Sequence, residues 1–326
     1  MKKNNLIIPV GLTLIVLGVG LMEQLKSNRI YSIRIGCSAL TPIHCLFGEV
    51  LGRTDILKKH GLHGEIVFFM HGNDQSAACK AKKIDATFTC EIPAIFQLAA
   101  CPDSRLIGTP GSLGRIALIV PRQSGIFSLQ DLKGKTILIH EGASATMMTR
   151  KWLKVCGLNP DRDVKLIYSD KDNILNRLSG EEAGAIVAWD PWLDEMLKKK
   201  EFRIIKERLF RSAIVMMEGY LRKYPEVVVR YEAALKDAFR WASNNKEAVV
   251  GWISARSGIE QKIIKDVLEL NENWVLSGHQ TRAVDLSLKQ EDIGILKECN
   301  DYLIKNGQIP LDFDISKKIN SEAFNK

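Results

Sequence analysis

The sequence lacks the short motifs that usually announce a chemistry. No G-x-S-x-G, H-E-x-x-H, G-x-G-x-x-G or G-x-x-x-x-G-K-[ST] occurs in its 326 residues. That removes the common signatures of hydrolase nucleophiles, zinc proteases, dinucleotide turns and phosphate loops. There is no C-x-x-C and no Cys/His group with zinc spacing, so no metal site and no cofactor is expected. The cysteines number seven, an odd count, so at least one stays unpaired within a monomer. Most of them (Cys37, Cys45, Cys79, Cys101 among them) sit among apolar or small residues, where a free thiol behaves as a small hydrophobe. No repeat of fixed period and no low-complexity tract is present. The net charge is +8, but the basic residues are scattered and no nucleic-acid module accompanies them, which excludes a nucleic-acid partner. The six histidines are dispersed. A Cys/His pair assembled in three dimensions, such as His44 with Cys90, is the one catalytic arrangement left open, and the chain is read as a non-enzyme.

What is present begins with a targeting segment. Lys2 and Lys3 precede an uncharged, largely apolar stretch from Leu6 to Met22, followed by Glu23 and Lys26. This is the pattern of a signal peptide or signal anchor, near the lower length limit for spanning a bilayer. The end of the stretch, Gly18-Val19-Gly20-Leu21-Met22, offers no clean small-x-small cleavage site and no lipoprotein cysteine. Residues 1–30 are therefore read as a signal peptide or membrane anchor, with an uncleaved anchor favoured. The positive-inside rule places the rest of the chain outside the cytoplasm.

Beyond Tyr31 strands and helices alternate. Strands are expected at Tyr31–Cys37, Glu65–Met70, Ile84–Thr89, Arg105–Gly108 and Ile116–Val120, with helices at Ile43–Lys59, Asp74–Lys82 and Ile92–Ala100. A second unit of the same kind starts at Lys135–Ile139. It continues through a helix at Thr146–Val155, a strand at Val164–Tyr168, a helix at Asn173–Leu178, a strand at Ala185–Ala188 and a helix at Trp192–Lys200, with a further strand at Arg203–Lys206. From Pro225 onward the periodicity is helical. Strands separated by helices imply crossovers and a largely parallel sheet. The chain is long for one core. The expectation is α/β with two lobes: 31–120 plus 216–326 as lobe 1, and 121–215 as lobe 2. A cleft between lobes, at the carboxyl ends of strands, is where a small-molecule site belongs.

Five strand-to-helix junctions carry candidate chemistry. Cys37-Ser38-Ala39-Leu40-Thr41-Pro42 offers Ser38 and Thr41, either as plain helix caps or as part of an anion seat at a helix start. Met70-His71-Gly72-Asn73-Asp74 reads as a capping turn. In Thr89-Cys90-Glu91-Ile92-Pro93, Glu91 either binds an amine or ring N–H or serves the helix dipole. His140-Glu141-Gly142-Ala143-Ser144-Ala145-Thr146 is the best anion-binding loop, with glycine for close approach and hydroxyls at a helix start. In Ala188-Trp189-Asp190-Pro191-Trp192, two indoles flank a carboxylate that either caps the next helix or faces a ligand.

Leu57-Lys58-Lys59-His60-Gly61-Leu62, Ile84-Asp85-Ala86 with Glu91-Ile92-Pro93, Ser128-Leu129-Gln130-Asp131-Leu132-Lys133-Gly134-Lys135, Gly142-Ala143-Ser144 and Trp189-Asp190-Pro191 together resemble the sulfonate/nitrate/taurine-type solute-binding proteins of ABC importers. The resemblance covers about residues 33–206. It implies the two-lobed type II periplasmic binding-protein fold with a helical C-terminal tail. It further implies a small anionic or zwitterionic solute held by lobe closure, permease and ATPase partners, and a monomeric, extracytoplasmic receptor attached through its N-terminal segment. Carried over by position, the ligand-binding residues are Ser38, Thr41, Cys90, Glu91, Gly142, Ser144, Ala145, Thr146, Trp189 and Asp190. Two departures stand out: Cys90-Glu91 replaces small residues, and His71-Gly72-Asn73 replaces a commoner Ser/Gly pair. Added acidity beside an oxoanion is repulsive, which turns the expectation toward a zwitterion, an amine or a heterocycle. The same superfamily includes binders of pyrimidine precursors and a pyrimidine-making enzyme, which form the alternative reading.

Overall fold

The computed structural model describes residues 29–70, 72–140, 143–178, 184–276, 283–320 and 323–324. The N-terminal segment assigned above to export or anchoring lies outside them. No helix among the described residues is long and apolar enough to cross a membrane.

The chain opens with β1 (Tyr31–Ser38), α1 (Pro42–Arg53), α2 (Ile56–Lys59), β2 (Leu62–Phe69), α3 (Gly72–Lys80), β3 (Ala86–Cys90), α4 (Glu91–Ala100) and β4 (Ser104–Gly108). It continues with β5 (Ser112–Pro121), β6 (Thr136–His140), α5 (Ala143–Val155), β7 (Lys165–Ser169), α6 (Lys171–Leu178), β8 (Ala185–Trp189) and α7 (Trp192–Lys198). A long strand, β9 (Phe202–Met217), returns to the first half. Helices follow: α8 (Glu218–Lys223), α9 (Pro225–Asn244), α10 (Lys246–Ser257), α11 (Gln261–Leu268), α12 (Glu272–Leu276) and α13 (Gln290–Lys305).

The strand order is β2-β1-β3-β9-β5-β8-β6-β7, with β4 also on β9. β1 runs parallel to β2 and β3, and β6 runs parallel to β7 and β8. β9 is antiparallel to β3, β4 and β5, and β5 is antiparallel to β8. The fold is thus mixed α/β, not largely parallel. The antiparallel pairs arise where the chain passes between halves and comes back by β9 without a helical crossover. From Phe202 to Arg211 β9 pairs with β5, and from Ser212 to Met217 it pairs with β3 and β4. One strand therefore serves both halves of the two-lobed fold.

Three local expectations change. The single helix expected over Ile43–Lys59 is two helices, broken at Thr54. There the backbone is extended, and the N–H and hydroxyl of Thr54 both donate to the Val50 carbonyl, at 3.1 and 2.7 Å. Ile116–Val120 was grouped with the first block, but it belongs to β5, whose hydrogen bonds go to β8 and β9. β9 was legible only at Arg203–Lys206. Its charged residues Arg208 and Arg211 interrupt the period that the buried Ser212–Met217 run would otherwise show.

The first half is fastened by an aromatic stack. Phe47 of α1 lies flat on Phe88 of β3, centroids 4.6 Å apart, and Phe239 of α9 meets Phe47 edge-on at 4.7 Å. All three are fully buried. Beyond apolar burial, such pairs contribute about 0.5–1.5 kcal/mol each.

The outward crossing between halves turns on Gly111. Its φ of +105° is one that side chains rarely adopt, and an added Cβ would lie 2.9 Å from Glu272 and 3.0 Å from Asn271. Gly111→Ala is expected to lower stability by about 1–3 kcal/mol. The check is a reduced urea midpoint at unchanged m.

Candidate functional site

Two pairs of strands run into helices at ends that face each other along β9: β1 into α1 and β3 into α4 from one half, β6 into α5 and β8 into α7 from the other. Two of these junctions belong to each half. Together with Leu113 of β5, Phe210 of β9 and Ile259 beyond α10, they surround a cavity of about 390 Å³. Two larger hollows, about 560 and 550 Å³, lie elsewhere. The first surrounds the Arg34–Asp85 pair and the second the Arg105–Glu218 pair, and the polar groups in each pair satisfy one another. Neither sits at the carboxyl ends of the parallel strands, so the smaller cavity is the candidate site.

Thr41, Cys90, Ser144, Trp189 and Asp190 line this cavity. Ser38 stands behind Thr41, whose hydroxyl donates to Ser38 Oγ at 3.1 Å. Neither residue caps α1: Thr41 occupies the cap position in extended conformation without a side-chain bond to the helix, and Pro42 opens it. Cys90 precedes α4 in the same way. Neither helix start is closed by a side-chain cap, which leaves its positive dipole end open to an anion.

Besides Ser38, three expected residues do not line the cavity. Ala145 is fully buried in the core, where its carbonyl accepts the Thr149 hydroxyl at 2.7 Å. Thr146, next along α5, is half-buried. Glu91 is turned away and buried against Arg208, with a second hydrogen bond from the Arg211 amide at 3.1 Å. Gly142 lies outside the described residues. Glu91 therefore brings no free negative charge to the cavity, because a guanidinium already balances it.

Asp190 is committed in a similar way. Its carboxylate accepts from the Arg115 amide at 2.7 Å and from the guanidinium at 3.0 and 3.2 Å. Arg115 also reaches Asp194 at 3.4 Å. Burial pulls the Arg115 pKa down, but Asp190 outweighs it and the net shift is upward. Asp190 neither caps α7, which Pro191 precedes, nor carries a free charge for a ligand. At Gly114, whose φ is +139°, an added Cβ would lie 2.9 Å from the Asp190 Cβ, so glycine is what lets β5 run close to this carboxylate.

The apolar wall expected of the two indoles is wider than the sequence marks: Leu40, Leu113, Phe210 and Ile259 line the cavity with Trp192, along with His140. His140 stacks on Trp189 at 4.1 Å and meets Trp192 edge-on at 5.0 Å. Phe210 was hidden because most of β9 went unread. His140 and Trp192 lay within motifs already singled out, at strand ends beside the chosen residues.

All seven cysteines are free. Burial pushes the Cys90 thiol up to about 12, so it is not poised as a nucleophile. His44 does not activate it: the imidazole is fully buried and meets Ser212 Oγ at 2.9 Å, and burial pushes its pKa down to about 3.

The family described as ABC transporter, phosphonate, periplasmic substrate-binding protein matches residues 53–240. The chain belongs to that family. A Brucella abortus protein named only as a binding protein is 26% identical over 203 residues, which is 59% of this chain and 61% of that protein. The match thus spans less than two thirds of that relative. A Bacillus subtilis protein named for binding aliphatic sulfonates is 24% identical, covering 89% of this chain and 94% of its own. Among solved structures, the Escherichia coli periplasmic aliphatic sulphonate binding protein SsuA shares the fold, with TM-score 0.75 and 20% identity over 91% of this chain and 99% of that one. The desulfurization enzyme DSZB shares it too, with TM-score 0.63 and 17% identity over 90% and 97%. Fold likeness alone therefore does not separate binding from catalysis.

Two outcomes follow from the buried charges. Arg115→Met strands the Asp190 carboxylate and should cost about 3 kcal/mol in urea unfolding. His44 binds its proton in the unfolded chain at its ordinary 6.5 but in the folded one only near 3. Its contribution is thus complete above pH 6.5 and lost as pH falls toward 3, by up to about 1.4 kcal/mol per pH unit. A plot of unfolding free energy against pH should be flatter over that window in His44→Gln.

Proposed function

We propose that this chain is the extracytoplasmic solute-binding component of an ABC importer, capturing a small anion by closure of two lobes and passing it to a permease. The observation that carries the reading is the cavity itself. It is bounded by two strand–helix junctions from each half, and the starts of α1 and α4 carry no side-chain cap. A site divided between two halves is closed by moving them together. Membership of a family of ABC-transporter periplasmic binding proteins supports the same role. The names of the sulfonate-binding relatives support a sulfonate as the class of solute.

Lobe 1 comprises residues 31–111 and 212–324, and lobe 2 residues 112–211. The pairing of β5 and β9 supports crossings near 111 and 211 in place of 121 and 215. Permease and ATPase subunits are the partners, the receptor is a monomer, and the N-terminal segment delivers it to the outer side of the membrane or holds it there. The pairing of Glu91 with Arg208 removes the reason to prefer an amine, so a plain anion is favoured over a zwitterion. Against an enzyme stands the high pKa of the Cys90 thiol.

A thermal-shift panel of the full chain tests the proposal with sulfonates, phosphonates, nitrate, amino acids and pyrimidines. A true solute at a hundredfold excess over Kd adds about 2.7 kcal/mol and should raise Tm by about 5 °C. No shift with any class overturns the reading.

A further inference from the structure

We propose that the solute is an aromatic monoanion, an arenesulfonate in chemical class, held with its ring against Trp189, Trp192 and Phe210 and its charged head toward the helix starts. The proposal deepens the solute-binding reading above and rests on it.

The first argument is space. The cavity, about 390 Å³, has room for on the order of a dozen waters at their liquid volume. It falls in the range that takes drug-sized organic molecules. Nitrate or a two-carbon sulfonate would leave most of that space as water against apolar walls. Those walls include three aromatic side chains, together with Leu40, Leu113 and Ile259. Trp192 and Phe210 are largely buried, while Trp189 keeps part of its surface open. His140 stacks on Trp189 at 4.1 Å, with ring planes 22° apart, which holds the indole in place. A flat ring slipped between these walls gains both apolar burial and offset or edge contacts.

The second argument is charge. No Lys or Arg is among the described residues lining the cavity. The guanidiniums of Arg115 and Arg208 are already paired, Arg115 with Asp190 and Asp194, and Arg208 with Glu91. Glu195 adds a carboxylate to the lining. What remains for an anion is the Ser144 hydroxyl, the Thr41 hydroxyl on turning from Ser38, and the uncapped starts of α1 and α4, each equivalent to about half a positive charge. This set suits one delocalised negative charge. A phosphonate resembles a phosphomonoester in carrying more than one charge near neutral pH and would lack a balancing cation.

The test is calorimetric titration of the full chain with benzenesulfonate, hexanesulfonate, phenylphosphonate and a neutral aminopyrimidine. Benzenesulfonate is expected to bind about tenfold or more tightly than each of the others. Trp189→Leu should weaken benzenesulfonate by about tenfold while leaving hexanesulfonate within about twofold. Phe210→Leu should shift the preference in the same direction, and it provides an independent reading should the Trp189 variant fold poorly. Equal or tighter binding of hexanesulfonate overturns the aromatic assignment, and tighter binding of phenylphosphonate or the pyrimidine overturns the monoanion. Either result leaves the solute-binding function standing. Silence from all four probes overturns the aromatic monoanion. If the wider panel is silent as well, the solute-binding function falls with it.

Discussion

Everything in this architecture depends on one strand satisfying two halves at once. β9 gives its first ten residues to β5 and its last six to β3 and β4. A one-residue slip would turn its buried run outward in one half or the other, so its register ties the two lobes to a common frame. The crossing beside it, Gly111 to Ser112, is held to β9 by the Ser212 amide on the Gly111 carbonyl at 2.9 Å. Arg211 then braces the junction. It binds Ser112 Oγ at 3.1 Å, Glu272 of α12 at 2.5 Å and Asp292 of α13 at 2.7 Å. The tail helices, which carry no recognisable motif, thereby acquire a role at the crossings about which the lobes would move.

The charged groups near the cavity are arranged as pairs that solve a folding problem before any ligand arrives. Buried pairs such as Asp190–Arg115 and Glu91–Arg208 add little net stability, since desolvation offsets most of their attraction, but they punish any alternative geometry. Asp190–Arg115 locks the end of β8 to β5. Glu91–Arg208 joins α4 of the first half to the β5-paired part of β9. The carboxylates of Asp190 and Glu91 are thus each engaged by an arginine, and the lining also holds hydroxyls, aromatic walls and the Glu195 carboxylate.

The sequence and the structure agree best where a single periodicity governs. Alternation in Tyr31–Cys37 and the apolar run in Lys135–Ile139 marked β1 and β6 to within a residue or two at either end. The strand-to-helix junctions followed from those, and with them Thr41, Cys90, Ser144, Trp189 and Asp190. Three-dimensional pairing was out of reach. Nothing local distinguishes a Glu91 that meets an amine from one that meets Arg208, 117 residues away. Phe210 and Leu113 were equally hidden, because their strands carry arginines on the same stretch as the apolar positions. Ile259 reaches the cavity only by tertiary folding of the tail.

Net charge and local charge do different work in this molecule. The chain as a whole carries +8, a field that draws anions in and raises the encounter rate. The lining contributes no Lys or Arg among the described residues, so attraction at long range is separated from recognition at short range. That division suits a carrier. A clamp of buried cations would deepen binding chiefly by slowing release, whereas a receptor that must surrender its solute to a permease needs modest, reversible contacts. In the receptor proposed above, neutral donors and aromatic walls would give selectivity through shape, and opening the lobes about the β5 and β9 crossings would expose the ring face and the helix starts together. Capture and release would then use the same motion in opposite directions.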